Sequence, residues 1–135
     1  MLIKSPHEEV SVELVRTDCA EHREITVTAC LADLKICVST WFIDYERFLV
    51  CLGSFEGTRT GRARLQSDEF ELDICAANLS GWAWLSFRIK RLLNIRADAP
   101  KGAPDIEMVC LESSIRLPGE YVPTLLRDFR GLFRN

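Results

Sequence analysis

Three carboxylates, Glu69, Glu71 and Asp73, stand two residues apart, so on an extended segment they share one face. Paired carboxyls carry general acid–base catalysis when one is desolvated and held protonated beside an ionised neighbour. Hairpin arithmetic puts arginines beside them instead: Arg64 opposite Glu71, Arg62 opposite Asp73, and Arg88 opposite Glu71 from the other side. A neighbouring cation favours the charged carboxylate. A solvated, ion-paired face is expected, and no catalytic residue is assigned.

The other chemistry-bearing residues are scattered. Six cysteines at gaps of 11, 7, 14, 24 and 35 residues match no metal or redox spacing, and most fall where a small apolar residue would fit a strand or helix. Free thiols in a reducing compartment are expected. His7 and His22 stand alone, so no metal site is assigned. Gly53, Gly57 and Gly61 follow a helical segment with no Lys-Ser/Thr after them, which excludes a phosphate loop, and no cofactor is implied. Arg59, Arg62, Arg64, Arg127, Arg130 and Arg134 are offset by acidic strands in a chain of net charge -3, so nucleic acid is not expected. The segment Met1 to Glu9 lacks the apolar run of a signal peptide, and no stretch reaches the roughly 20 apolar residues of a membrane span. A cytoplasmic protein with no membrane contact is expected, and Asn78-Leu79-Ser80 reads as a turn rather than a glycosylation site.

The elements that position the carboxylates follow from hydrophobic period. From Glu69 to Ile89 the residues alternate, with a bend at Asn78 to Gly81; Phe70, Leu72, Ile74 and Ala76 share one parity, and Ala83, Leu85, Phe87 and Ile89 another. Two paired strands with one apolar face are predicted, the other face carrying the charges and then Trp82 and Trp84. A hairpin looped at Asp18 to Glu21 sets Leu14 against Ile25, Val12 against Val27 and Val10 against Ala29. One turning at Ala32-Asp33 sets Leu31 against Leu34, Ala29 against Ile36 and Val27 against Val38. A turn at Ser67-Asp68 adds Ala63 and Leu65 to the apolar face.

Beyond the third strand the period becomes helical: Trp41, Tyr45, Phe48, Leu49 and Leu52 share a stripe, capped by Ser39 or Thr40 and ended by Gly53, with a loop on to Gly61. Asn94 to Pro104 reads as a long surface segment, Ile106 to Leu117 as a further strand of ambiguous parity, and Glu120 to Phe133 as a final amphipathic helix carrying Tyr121, Leu125, Phe129 and Leu132. With 47% hydrophobic and 27% charged residues over 135 positions, the chain fits one domain spanning 1–135. The expected class is α+β: a mainly antiparallel sheet of about seven strands with two helices packed on one face.

Trp82 and Trp84 share the parity of the charged residues, so this arrangement turns both indoles away from the helices. Large exposed aromatics beside arginines are the usual anchors of protein interfaces. The candidate protein-binding patch is Trp82, Trp84, Arg62, Arg64, Glu71 and Arg88.

The order of elements, with Phe48-Leu49-Val50-Cys51-Leu52 in a helix entered at Trp-Phe, then Glu69-Phe70-Glu71-Leu72, Gly81-Trp82-Ala83-Trp84-Leu85 and a Leu- and Phe-rich terminal helix, resembles WapI-like bacterial immunity proteins and sister families of unknown function. The likeness runs from about Val10 to Phe133. Gly61-Arg62-Ala63-Arg64-Leu65 departs from it, since that strand carries an aromatic in the family. The resemblance implies a cytoplasmic, non-enzymatic protein that neutralises a toxin by binding it. The reading is a protein-binding module acting by steric occlusion. The alternative is a small-ligand binding protein or hydrolase with a sheet–helix pocket and Glu71 or Asp73 as base. Whether an edge strand pairs with a second copy to give a homo-oligomer is left open by the sequence.

Overall fold

The computed structural model describes residues 1–19, 22–77, 81–93 and 107–134. The expected loop 94–104, the bend at 78–80 and the tip at 20–21 lie outside them. Eight strands and two helices follow one another as β1 (Leu2–Lys4), β2 (Val10–Cys19), β3 (His22–Leu31), β4 (Leu34–Thr40), α1 (Tyr45–Thr58), β5 (Arg62–Gln66), β6 (Phe70–Ala76), β7 (Trp82–Leu93), β8 (Glu107–Pro118) and α2 (Val122–Phe133), with a 3-10 turn at Gly119–Tyr121 leading into α2. The class is α+β with antiparallel pairing throughout, as expected.

The single sheet of about seven strands is corrected to two sheets of four, in the orders β1-β2-β3-β4 and β5-β6-β7-β8. The extra strand is β1, which lays Ile3 against Val12 and buries it completely. Three residues carry too little alternation to announce a strand. The helices do not cover one sheet between them. Helix α1 lies against β5, whereas α2 packs on α1 and reaches β2 of the other sheet; the sheets themselves approach at β4 and β7. Each sheet therefore buries one face into a shared core and leaves the other to solvent.

Register is where one face is won or lost, because a one-residue slip would exchange the faces. The β3–β4 pairs, Leu31 with Leu34, Ala29 with Ile36 and Val27 with Val38, are those expected. In the first hairpin the strands run on to Cys19 and His22, so the connection is shorter than the loop expected at Asp18 to Glu21. Leu14 pairs with Val27, Val12 with Ala29 and Val10 with Leu31. That is a shift of two residues, which keeps every apolar side chain on its face. The same correction applies to β5–β6. Ser67 N–H donates to Phe70 O at 2.8 Å and Ser67 Oγ accepts from Phe70 N–H at 3.1 Å, which closes the turn on Asp68-Glu69 and moves Arg64 opposite Asp73.

The first helix starts four residues later than its stripe suggested. Strand-like alternation continues past β4: Val38, Thr40 and Phe42 are buried while Trp41 and Ile43 are exposed, so Trp41 belongs to an extended segment and not to a helical face. Asp44 precedes the first helical residue without a side-chain cap. Phe48, Leu52 and Phe55 then form the buried stripe, and the helix runs through Gly53 and Gly57 to a left-handed Arg59. Each interior glycine costs a helix about 0.5–1 kcal/mol. Burial of three large side chains, worth roughly 1.5–3 kcal/mol each, outweighs that. A Cβ added at Gly57 would meet nothing within 4 Å, so Gly57→Ala is expected to raise stability by about 0.4–1 kcal/mol in a urea titration.

Phe42 joins the layers. Its ring lies 6.1 Å from Phe70 of β6 and 6.1 Å from Phe133 of α2, both edge to face, while Tyr45 stacks on Phe133 at 4.7 Å. Phe48 of α1 meets Phe129 of α2 edge to face at 4.8 Å. Thr40, the one buried polar residue among those described, donates from Oγ1 to Glu69 Oε2 at 2.6 Å and so ties the end of β4 to the β5–β6 turn.

Candidate functional site: the outward face of the β5–β8 sheet

Strand parity puts one side chain in two on the solvent face, and the register of β5 to β8 arranges these into rows. One row reads Arg62, Cys75, Trp84, Arg116; the next Arg64, Asp73, Ser86, Ser114; the third Gln66, Glu71, Arg88, Glu112. All six residues of the candidate patch, Trp82, Trp84, Arg62, Arg64, Glu71 and Arg88, lie on this face. Their apolar counterparts Leu72, Ile74, Leu85 and Ile89 are completely buried on the other.

The carboxylate flanked by two arginines is Asp73 rather than Glu71. Asp73 Oδ2 lies 3.2 Å from Arg62 Nε and 3.2 Å from Arg64 Nη2. Glu71 Oε2 accepts from Arg88 Nη2 at 2.9 Å, and its other oxygen accepts from Gln66 Nε2 at 3.3 Å. The change follows from the two-residue shift of the β5–β6 turn. Exposed pairs of this kind are worth about 0–1 kcal/mol each, so the ladder fixes register and pattern more than stability. Glu69 is not part of it: its carboxylate turns to Thr40.

The indoles differ. Trp82 is half-buried, with the Arg116 guanidinium 4.1 Å from its ring centroid, a cation–π contact. Trp84 is 39% exposed in the middle of the sheet. A shallow groove beside them, about 300 Å³, is lined by Arg64, Glu71, Asp73, Ser86, Arg88 and Glu112. Asp73 Oδ1 and Arg88 Nε are shielded at this groove and have no hydrogen-bond partner among the described residues. Sequence parity missed Glu112, Ser114 and Arg116, because Glu107, Val109 and Leu111 made the inward side of β8 ambiguous. The aliphatic spacing of Leu111, Ile115 and Leu117 carried the signal.

Arg62, Arg64, Arg88, Lys90 and Arg116 outnumber Glu71, Asp73 and Glu112 here, so the face is cationic on a chain of net charge -3. Glu71 and Asp73 lie on the far side of the sheet from the helices and line no sheet–helix pocket. The one titration clearly displaced among the described residues is remote: burial pushes the Tyr121 phenol above its ordinary value, Asp128 adds to this and Arg127 opposes it.

A second cleft, about 260 Å³, lies where β4 leaves its sheet, lined by Thr40, Trp41, Ile43, Asp44, Gln66, Ser67, Asp68 and Glu69. Trp41 and Ile43 stand 62% and 83% exposed on its rim. Among the described residues no group of His, Cys, Asp and Glu is placed to hold a metal ion. Cys30, Cys37, Cys51, Cys75 and Cys110 are free thiols on strands or helix α1; Cys30, Cys51 and Cys75 are half-buried, Cys51 packing against the core, and Cys37 and Cys110 are exposed. No described helix is long and apolar enough to cross a membrane. Comparison with known proteins gives no match: no family model, no curated protein and no solved structure is similar to this chain.

Proposed function

We propose that this chain is a protein-binding module that docks through the outward face of the β5–β8 sheet, in the manner of an immunity protein occluding a cognate bacterial toxin. The observation that carries the reading is an exposed indole, Trp84, in one row with Arg62, Cys75 and Arg116 on a face that no described element covers. Tryptophan and arginine are enriched among the few residues that carry most of the energy of a protein interface. The excess of cations fits an acidic protein surface. Arg62, Arg64 and Arg88 are already ion-paired within the sheet, which favours a protein over the phosphates of a nucleic acid. The order of elements that resembles WapI-like proteins supports the same reading and a cytoplasmic site of action.

The test is capture of the tagged chain from its native cell, followed by mass spectrometry of the eluate. One protein in stoichiometric amount is the expected outcome. A monomer that elutes carrying a small molecule would instead favour a ligand-binding protein or hydrolase.

A further inference from the structure

Among the described strands that end a sheet, β8 has the longest edge left unpaired by any described residue: Glu107–Pro118 spans 12 residues, against 3 in β1, 7 in β4 and 5 in β5. Such an edge presents unpaired backbone donors and acceptors, a template for another strand. Which residues present them can be read from the bonding phase. Lys90 N–H donates to Glu69 O, so even-numbered residues of β7 bond toward β6 and odd-numbered ones toward β8. Lys90 pairs with Cys110, Arg88 with Glu112 and Ser86 with Ser114. In an antiparallel ladder, residues opposite each other share a phase. Cys110, Glu112, Ser114 and Arg116 therefore aim their N–H and C=O groups outward from the sheet. Pro118 falls in the same phase, where a missing N–H is tolerated.

The side chains of these residues also stand on the solvent face, and their order is self-complementary. We propose that two copies of this chain pair antiparallel through β8, on a two-fold axis at Ser114. Glu112 then lies opposite Arg116 of the partner subunit, and Arg116 opposite Glu112 of the partner subunit. Ser114 meets its own copy. On the apolar side Leu111 meets Leu117 and Ser113 meets Ile115.

Charge selects this register over its neighbours. Centring on Glu112 sets two carboxylates against each other, and centring on Ser113 leaves Glu112 facing a serine and Arg116 facing Cys110. Opposite charges directly across a ladder stabilise it and like charges oppose it. Glu112 has no ion pair among the described residues, because Arg88 turns away to Glu71 at 2.9 Å, so its carboxylate is open to a partner. Arg116 can hold it while keeping its contact with Trp82, since a guanidinium stacks on an aromatic face and hydrogen-bonds through its edge. The result is an eight-stranded sheet with both Trp84 faces on one side. The inference is independent of the proposed function.

Sedimentation equilibrium of the full chain tests it. The wild type is expected to dimerise, and Glu112→Arg or Arg116→Glu alone to raise the dissociation constant by roughly tenfold or more, since each sets two like-charged pairs against each other. The double variant Glu112→Arg/Arg116→Glu restores opposite charges at both positions and is expected to dimerise again, which a fold defect would not do. Hydrogen exchange gives a second readout: amides of Glu112, Ser114 and Arg116 slow as concentration rises. A wild type that stays monomeric at about 100 μM, some hundredfold above a micromolar constant, would overturn the proposal. So would a dimer indifferent to either charge reversal.

Discussion

Phe129→Ala is expected to lower the free energy of unfolding by about 3–5 kcal/mol. The side chain is completely buried, its ring meets Phe48 at 4.8 Å, and it stacks with Phe133 at 6.5 Å. Deleting it removes the transfer free energy of a whole ring and leaves a cavity walled by α1 and α2, the two elements that reach the two sheets. For a domain whose total stability lies in the range of about 5–15 kcal/mol, this is a large fraction. A urea titration followed by tryptophan fluorescence measures it. Combined with Phe48→Ala, a double-mutant cycle is expected to show a coupling of about 0.5–1.5 kcal/mol, the worth of an edge-to-face pair beyond its buried area. Strict additivity would mean that the two rings do not support one another, and that the helices are held by their separate contacts.

Gly119→Ala is expected to cost about 1–3 kcal/mol or more, for a different reason. Gly119 N–H donates to Gly81 O at 2.5 Å, which joins the end of β8 to the start of β7. An added Cβ would fall inside contact distance of that oxygen and 3.0 Å from its carbonyl carbon, both of them backbone atoms. Nothing flexible is there to yield, so the strands must part. The Arg59 Nη1 donor to Gly119 O, at 2.6 Å, would be disturbed too, and with it the tie from the end of α1. The comparison with Gly57→Ala makes the point specific: the same substitution in open space is expected to stabilise. Matching effects at the two sites, read by thermal unfolding, would contradict the close approach.

The α+β class and the facing of nearly every strand were legible because alternation survives errors in turn position. The β2–β3 and β5–β6 registers were each displaced by two residues, and no apolar side chain changed face. What alternation cannot supply is the division into two sheets, since the pattern within a strand says nothing about which strands are neighbours across a helix. Trp41 misled for a local reason. Its distance from Tyr45 fits a helical stripe, while Phe42 between them also fits a strand, and only the contacts of Phe42 with Phe70 and Phe133 decide. The patch residues were found because charges and indoles shared a parity. The arginine pair around Asp73 was assigned to Glu71 because a two-residue slip leaves the face unchanged but replaces the neighbour.

The claim on which the functional reading rests is that a partner buries Trp84 and its arginine surround. Titrating the captured partner against the wild type and against Trp82→Ala/Trp84→Ala, by calorimetry, tests it most directly. Loss of about 2 kcal/mol or more, roughly thirtyfold in affinity, is expected of residues that anchor an interface, provided the variant still unfolds cooperatively. An unchanged dissociation constant would place the partner on another surface and contradict the account.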